Sequence, residues 1–166
     1  MIVAAIGVKL SSRGPMLYVQ QRVGRGGQII KFPKFRSMYV GSESRRAEVI
    51  GRPDASITER YKRDPRITPF GRFIRRWSID EMPQLFNVLM GSMSLVGPRP
   101  PVAREVMLYK AWQRKRLAIK PGLTCLWQIS GRSEVKFEEW VRMDLWYLKN
   151  QKLTTDAKLL AKTPTS

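Results

Sequence analysis

The chain has 166 residues, with 31 Lys and Arg against 13 Asp and Glu and a formal net charge of +18. That length suits one sizeable core, and that charge asks for an anionic partner: nucleic acid, an anionic lipid surface or phosphorylated small molecules. The absence of histidine excludes a Ser-His-Asp triad, a Cys-His pair and any histidine-ligated metal, and a single cysteine, Cys125, excludes an intrachain disulfide and a multi-cysteine zinc site. An enzyme built from this composition works with carboxylates, cations, hydroxyls or a metal held by oxygen. Cys125 itself reads as a small buried apolar residue.

No apolar run reaches the ~18 residues of a transmembrane helix. Met1 to Leu10 is apolar except for Lys9 and lacks the features of a signal peptide, so it is either a core helix or the tail of a longer hydrophobic segment. Ser11 to Pro15 is a turn signal. Met16 to Val23 and Gln28 to Phe32, separated by Gly24-Arg25-Gly26-Gly27, predict a β-hairpin whose second strand Pro33 ends or places on an edge. Lys34 to Met38 alternates cationic and apolar residues, as in a strand end presenting cations on one face. Gly41 to Arg63 is polar, with a short helix expected around Glu43 to Val49. Arg60, Lys62, Arg63, Arg66, Arg72, Arg75 and Arg76 follow, with Asp64 the one acid between them; together they suit an anion better than a merely solvated face.

The sharpest candidate for chemistry is the adjacent pair Asp80-Glu81, framed by these cations. After it, Met82, Leu85, Phe86 and Leu89 fall on one helical face and Gly91 ends the run. Ser78-Ile79-Asp80-Glu81 also matches a capping box, in which both acids only complement a helix start, although Pro83 fits that reading poorly. Met93 to Val96 is a short strand or turn. In the loop Gly97 to Pro101, prolines on both sides of Arg99 fix its backbone, which suits a phosphate contact or a plain rigid connector. Val102 to Ile119 predicts one basic amphipathic helix, for a membrane surface or for the core. Leu123 to Ile129 is a strand or buried loop, and Ser130 to Ser133 a turn. Phe137, Trp140, Val141, Leu145 and Leu148 then share a helical face that includes Asp144, an acid expected to pair with a cation. A weak helix begins at Thr154.

KFRSM, DPRITPFGRFIRR, SIDEMPQLFNVLMGSMSLVGPRP, KPGLTCLWQISGR and DLWYLKN, in this order, resemble the bacterial sugar transferase family, the monotopic polyprenol-phosphate phosphoglycosyl transferases. The likeness covers nearly the whole chain. It implies transfer of a phosphosugar from a UDP-sugar to a polyprenol (undecaprenyl) phosphate, with release of UMP, at the start of exopolysaccharide, capsule or O-antigen assembly. It further implies that Asp80 is the nucleophile of a covalent phosphosugar intermediate, that Glu81 completes the dyad, and that Mg²⁺ joins Asp80 to the diphosphate. Arg99, Arg132, Arg75, Arg76, Lys34 and Arg36 become candidate phosphate contacts. An aspartyl-phosphate divides a hard transfer into two steps, and a phosphate acceptor needs no histidine base.

Three departures stand out: only the second half of the family's longer apolar entry segment is matched, by Met1 to Leu10; the basic-apolar tail that usually follows the last helix is not matched; and Pro33 precedes Lys-Phe-Arg. The first two suggest a truncated chain or the catalytic end of a longer protein. The expectation is therefore an α+β, mostly helical single catalytic domain over residues 1–166. It has a small β-hairpin, amphipathic interfacial helices and, at residues 1–10, the remnant of a re-entrant membrane helix. It is expected on the cytoplasmic face of the bacterial inner membrane, with no nucleic-acid partner. The rival readings are a basic nucleic-acid-binding module, against which stands the lack of any recognised nucleic-acid motif, and an inactive membrane-associated scaffold.

Overall fold

The computed structural model describes residues 1–42, 44–45, 64–129 and 136–163. Most of the helix expected around Glu43 to Val49, the cations Arg60, Lys62 and Arg63, and the candidate Arg132 lie outside the described residues. Helices predominate over two two-stranded sheets. The chain divides into two compact units, Met1–Gln20 with Pro33–Gln84, and Gln21–Phe32 with Leu85–Ser166.

The first unit opens with α1 (Ile2–Ser11). Ala4 and Val8 of α1 enter a small core with Phe35 and Ile74, flanked by Ala5, Phe70 and Ile79. Gly7 is there for contact, because a Cβ on it would run into the Phe70 ring. At 10 residues α1 is about 15 Å long, and no helix among the described residues is long and apolar enough to cross a membrane. Its other face, Ile2, Val3, Ile6 and Leu10, is exposed.

The hairpin forms from β1 (Leu17–Val23) and β2 (Ile29–Phe35). Its turn closes where the Gly24 N–H donates to the Gln28 carbonyl at 2.7 Å, and Gly26 and Gly27 take positive φ of 66° and 87°. Strand β2 continues through Pro33, which a two-stranded sheet tolerates because both of its strands are edges.

Helix α2 (Pro69–Arg76) starts where the sequence supplies a cap: Thr68 Oγ1 accepts the Gly71 N–H at 2.9 Å and Pro69 occupies the first turn. A 3₁₀ helix, Ile79–Gln84, follows and leads into the short α3 (Leu85–Leu89). Most of the apolar face read from the sequence is turned outward here. Leu85, Phe86 and Leu89 are exposed, while Asp80, Pro83, Gln84 and Asn87, also at helical spacing, are buried. Within the second unit Asn87 fixes that orientation, its Nδ2 donating to the Lys31 carbonyl at 2.7 Å and to Ser92 Oγ at 3.1 Å.

In the second unit β3 (Ser94–Val96) pairs in parallel with β4 (Gly122–Thr124), Ser94 opposite Gly122 and Val96 opposite Thr124. The single helix expected over Val102 to Ile119 is instead α4 (Ala103–Met107), α5 (Ala111–Arg114) and a 3₁₀ turn, Lys115–Ala118. Two acceptors make the restart: Glu105 Oε2 takes the Val102 N–H at 3.1 Å, and Gln113 Oε1 takes the Lys110 N–H at 2.7 Å. Next come the short α6 (Leu126–Ile129), α7 (Phe137–Lys149) and α8 (Leu153–Lys162). Val96, Tyr147 and Leu159 form the core there, with Ile119, Leu126 and Ile129 against it. Cys125 is buried, as its apolar reading requires, and burial pushes its thiol up.

The β3–β4 end depends on two glycines. A Cβ on Gly97 would lie 2.6 Å from the Lys120 carbonyl oxygen, and one on Gly122 would overlap the backbone of Val96 and Gly97. Gly122→Ala is therefore expected to destabilise the protein by about 1–3 kcal/mol, read as a lower midpoint in thermal or denaturant unfolding.

Candidate active site

In the first unit the candidate residues gather around the end of α2. Arg75 is half-buried, and its Nε donates to Ser37 Oγ at 2.7 Å. Ser37 is itself buried, its carbonyl accepting the Thr68 N–H at 3.1 Å, so the start of α2 and the anchor of Arg75 are the same residue's two ends. Burial lowers the Arg75 guanidinium pKa, and the negative charges of Asp80 and then Asp64 oppose that shift. Asp80 is buried at 7% exposure and Glu81 is half-buried.

The capping-box alternative for these acids does not fit the backbone. Ser78 has a left-handed φ of 53°, whereas an N-cap residue is extended, and its N–H is directed to the Arg75 carbonyl at 3.2 Å. A serine in this conformation carries a local cost. What it accomplishes is a sharp reversal straight after α2, which brings Asp80 back within electrostatic reach of Arg75.

Asp64, the lone acid of the basic run, is spoken for. Arg66 grips it with Nη2 to Oδ2 at 2.7 Å and Nε to Oδ1 at 2.9 Å, and the Arg66 N–H adds a bond to Oδ1 at 3.0 Å. Met38 bridges Ile67 beside this pair. Arg36 is also absorbed structurally. It is buried, and its guanidinium donates to the carbonyls of Pro15 at 2.6 Å, Arg13 at 2.8 Å and Ser12 at 2.8 Å, clasping the turn after α1. The expected cationic face is thus reduced: Lys34 stands 5.4 Å from the Tyr18 ring centroid, Arg36 turns inward, and Arg76 is exposed.

The second unit holds Arg99. Its guanidinium lies 5.9 Å from the centroid of the buried Phe32 ring, on which Arg22 also rests at 5.4 Å. Neither Arg22 nor Phe32 is marked by any motif in the sequence. Asp144 has the cationic partner expected of it: Arg116 Nη2 meets its Oδ2 at 2.6 Å, with both side chains almost wholly buried. Arg116 lies in a run of cations, Arg114-Lys115-Arg116, and only its burial distinguishes it.

The bacterial sugar transferase family model matches residues 1–166. The chain is 47% identical over 155 residues to the undecaprenyl-phosphate galactose phosphotransferase of Salmonella typhimurium, covering 90% of this chain and 33% of that protein. It is 40% identical over 164 residues to the UDP-glucose:undecaprenyl-phosphate glucose-1-phosphate transferase of Escherichia coli, covering 94% and 33%. Over 161 residues it is 40% identical to the exopolysaccharide production protein ExoY of Rhizobium meliloti, covering 94% and 71%. The chain belongs to the bacterial sugar transferase family. It spans about a third of the length of several of the relatives it matches.

The Arg66 bond holds the Asp64 carboxyl below its ordinary 3.8, burial opposing it. A depressed carboxyl adds stability above the unfolded value and loses it as pH falls through the folded one. Asp64→Asn should cost about 3 kcal/mol at pH 7 by leaving Arg66 without its counter-ion. In urea titrations the gap from wild type should narrow as the pH is taken below 4.

Proposed function

We propose that the protein transfers a phosphosugar from a UDP-sugar to a polyprenol phosphate and releases UMP. The observation that carries this reading is the buried Asp80 held within the field of Arg75, in a chain of the sugar transferase family. A carboxylate oxygen of Asp80 attacks the sugar-bearing phosphorus. A P–O bond to Asp80 forms as the P–O bond to UMP breaks, and UMP departs with the electron pair. An oxygen of the polyprenol phosphate then attacks the same phosphorus. The Asp80–P bond breaks, the carboxylate returns, and the sugar is left on a polyprenyl diphosphate. Neither step requires a proton to be removed from the nucleophile, which is how a chain without histidine can perform it.

Arg75 offsets negative charge at the nucleophile, and Arg99, with its backbone restricted by two prolines, supplies a phosphate contact. Arg76 and Lys34 remain candidates for the same role, as does Arg132. No group of three or more acidic or cysteine ligands occurs among the described residues. The adjacent Asp80 and Glu81 fit a Mg²⁺ that completes its shell with substrate phosphate and water, and do not fit an all-protein cage. Asp80 would hold the ion, which when bound neutralises diphosphate charge.

Asp80→Asn should abolish UMP release from UDP-sugars in the presence of Mg²⁺ and a polyprenol phosphate in detergent, with near-UV circular dichroism unchanged. Retention of wild-type turnover by this variant would defeat the mechanism.

The polyprenol acceptor requires a membrane surface, and each unit, taken by itself, exposes apolar residues that suit one. On α1 these are Ile2, Val3, Ile6 and Leu10; on and after α2 they are Phe73 and Trp77, beside the exposed Arg72 and Arg76; on and after α3 they are Phe86, Leu89 and Met90. Apolar residues with flanking cations suit an anionic lipid interface, here the cytoplasmic leaflet of the bacterial inner membrane. Leu89 and Met90 are 82% and 83% exposed. Leu89→Glu combined with Met90→Glu should lower co-sedimentation with phosphatidylglycerol vesicles by about tenfold or more, without lowering the melting temperature.

A further inference from the structure

We propose that the buried Arg116–Asp144 ion pair is a positioning device for the Arg99 loop: it anchors the Arg99 carbonyl and so fixes where the Arg99 guanidinium is presented. The inference rests on the reading of Arg99 as a substrate-phosphate contact.

The argument begins with the loop's composition. Pro98, Pro100 and Pro101 have no N–H, so the run Gly97 to Pro101 has few main-chain donors with which to hold itself. Its carbonyls are held from outside instead, four in succession. The Gly122 N–H donates to the Pro98 carbonyl at 3.0 Å and the Val23 N–H to that of Pro101 at 2.8 Å. Arg22 Nη1 donates to the Pro100 carbonyl at 3.0 Å, and Arg116 Nη2 to the Arg99 carbonyl at 3.1 Å. Proline rings set φ on both sides of Arg99, and a following proline restricts Arg99 itself. Carbonyl anchoring removes the remaining freedom of these peptide planes.

Arg116 is committed to this task by everything around it. Its side chain is 1% exposed, and its Nη2 also meets Asp144 Oδ2 at 2.6 Å. Nη1 donates to the Tyr109 hydroxyl at 2.8 Å. The guanidinium carbon lies 5.8 Å from the Tyr109 ring centroid and 5.2 Å from that of Trp140. Burial works against the charge on Arg116, and Asp144 and Tyr109 more than restore it. A buried pair is weak evidence for stability by itself; its planar fork, fixed by a carboxylate, a phenol and two rings, is a rigid donor for one chosen carbonyl.

The test is a double-mutant cycle on UMP release. Arg116→Lys keeps a cation against Asp144 but lacks the planar fork; Arg99→Lys keeps the charge at the candidate phosphate contact. Each single variant is expected to lower kcat/KM for the UDP-sugar about tenfold or more, and the double variant no further than Arg99→Lys alone, the coupling expected of groups acting as a unit. Thermal midpoints should shift equally for Arg116→Lys in both backgrounds, which separates positioning from stability. Multiplicative losses in kcat/KM would overturn the proposal and leave the pair a structural one. An Arg99→Lys variant with wild-type kcat/KM would remove the premise that Arg99 meets substrate, and no UMP release by wild type would remove the reaction itself; both would overturn the inference at an earlier step. Should Arg116→Lys fail to fold, Tyr109→Phe, which deletes only the hydroxyl acceptor of Nη1, enters the same cycle with the same criterion on a smaller scale.

Discussion

Three prolines in five residues make the Gly97 to Pro101 loop stiff in its torsions and poor in donors, and much of the second unit is arranged around that deficit. The tip of the hairpin supplies Val23 and Arg22, β4 supplies Gly122, and α7 supplies the carboxylate that aligns Arg116. The close approach of Gly97 and Gly122 belongs to the same arrangement, since it sets β4 directly alongside the start of the loop. The three-residue β4, marginal alone, carries one of these anchors in Gly122.

The first unit solves a different problem, that of burying a carboxylate, Asp80, in a strongly cationic chain. At Asp64 the charge is met directly, Arg66 taking both of its oxygens. Arg75 is instead tethered through its Nε to Ser37, so its charge acts on Asp80 while its geometry is fixed elsewhere. The positive φ at Ser78 belongs with this solution, because the reversal it produces sets the direction in which Asp80 re-enters. A local backbone cost of this kind persists only where the surrounding structure holds it.

What local chemistry determines is legible in the sequence: the hairpin and its glycine turn, the loop around Arg99, and the requirement that Asp144 find a cation. Sequence reading falls short where the outcome depends on the tertiary surroundings of an element. The stripe Met82, Leu85, Phe86, Leu89 has helical spacing, but spacing alone does not say which way a face turns. Asn87 shows the opposite orientation, with a polar face tied inward and the apolar face left outside. Arg36 and Arg116 were indistinguishable from the other cations, since only tertiary contacts turn one arginine toward a run of carbonyls and another into a buried pair. The break at Leu108 to Lys110 was equally hidden, because it comes from Gln113 capping a restart within a run of good helix formers.

Cys125 has a practical consequence beyond packing. It is the chain's one cysteine, it lies at 2% exposure, and burial moves its thiol away from the reactive thiolate form. The native sequence is therefore already a quiet background for thiol chemistry. A cysteine introduced at an exposed position such as Leu10 or Leu89 would outcompete it for a spin label or fluorophore by accessibility alone. Depth-dependent quenching could then test, residue by residue, whether the exposed apolar residues enter a bilayer, without first removing a residue from the core.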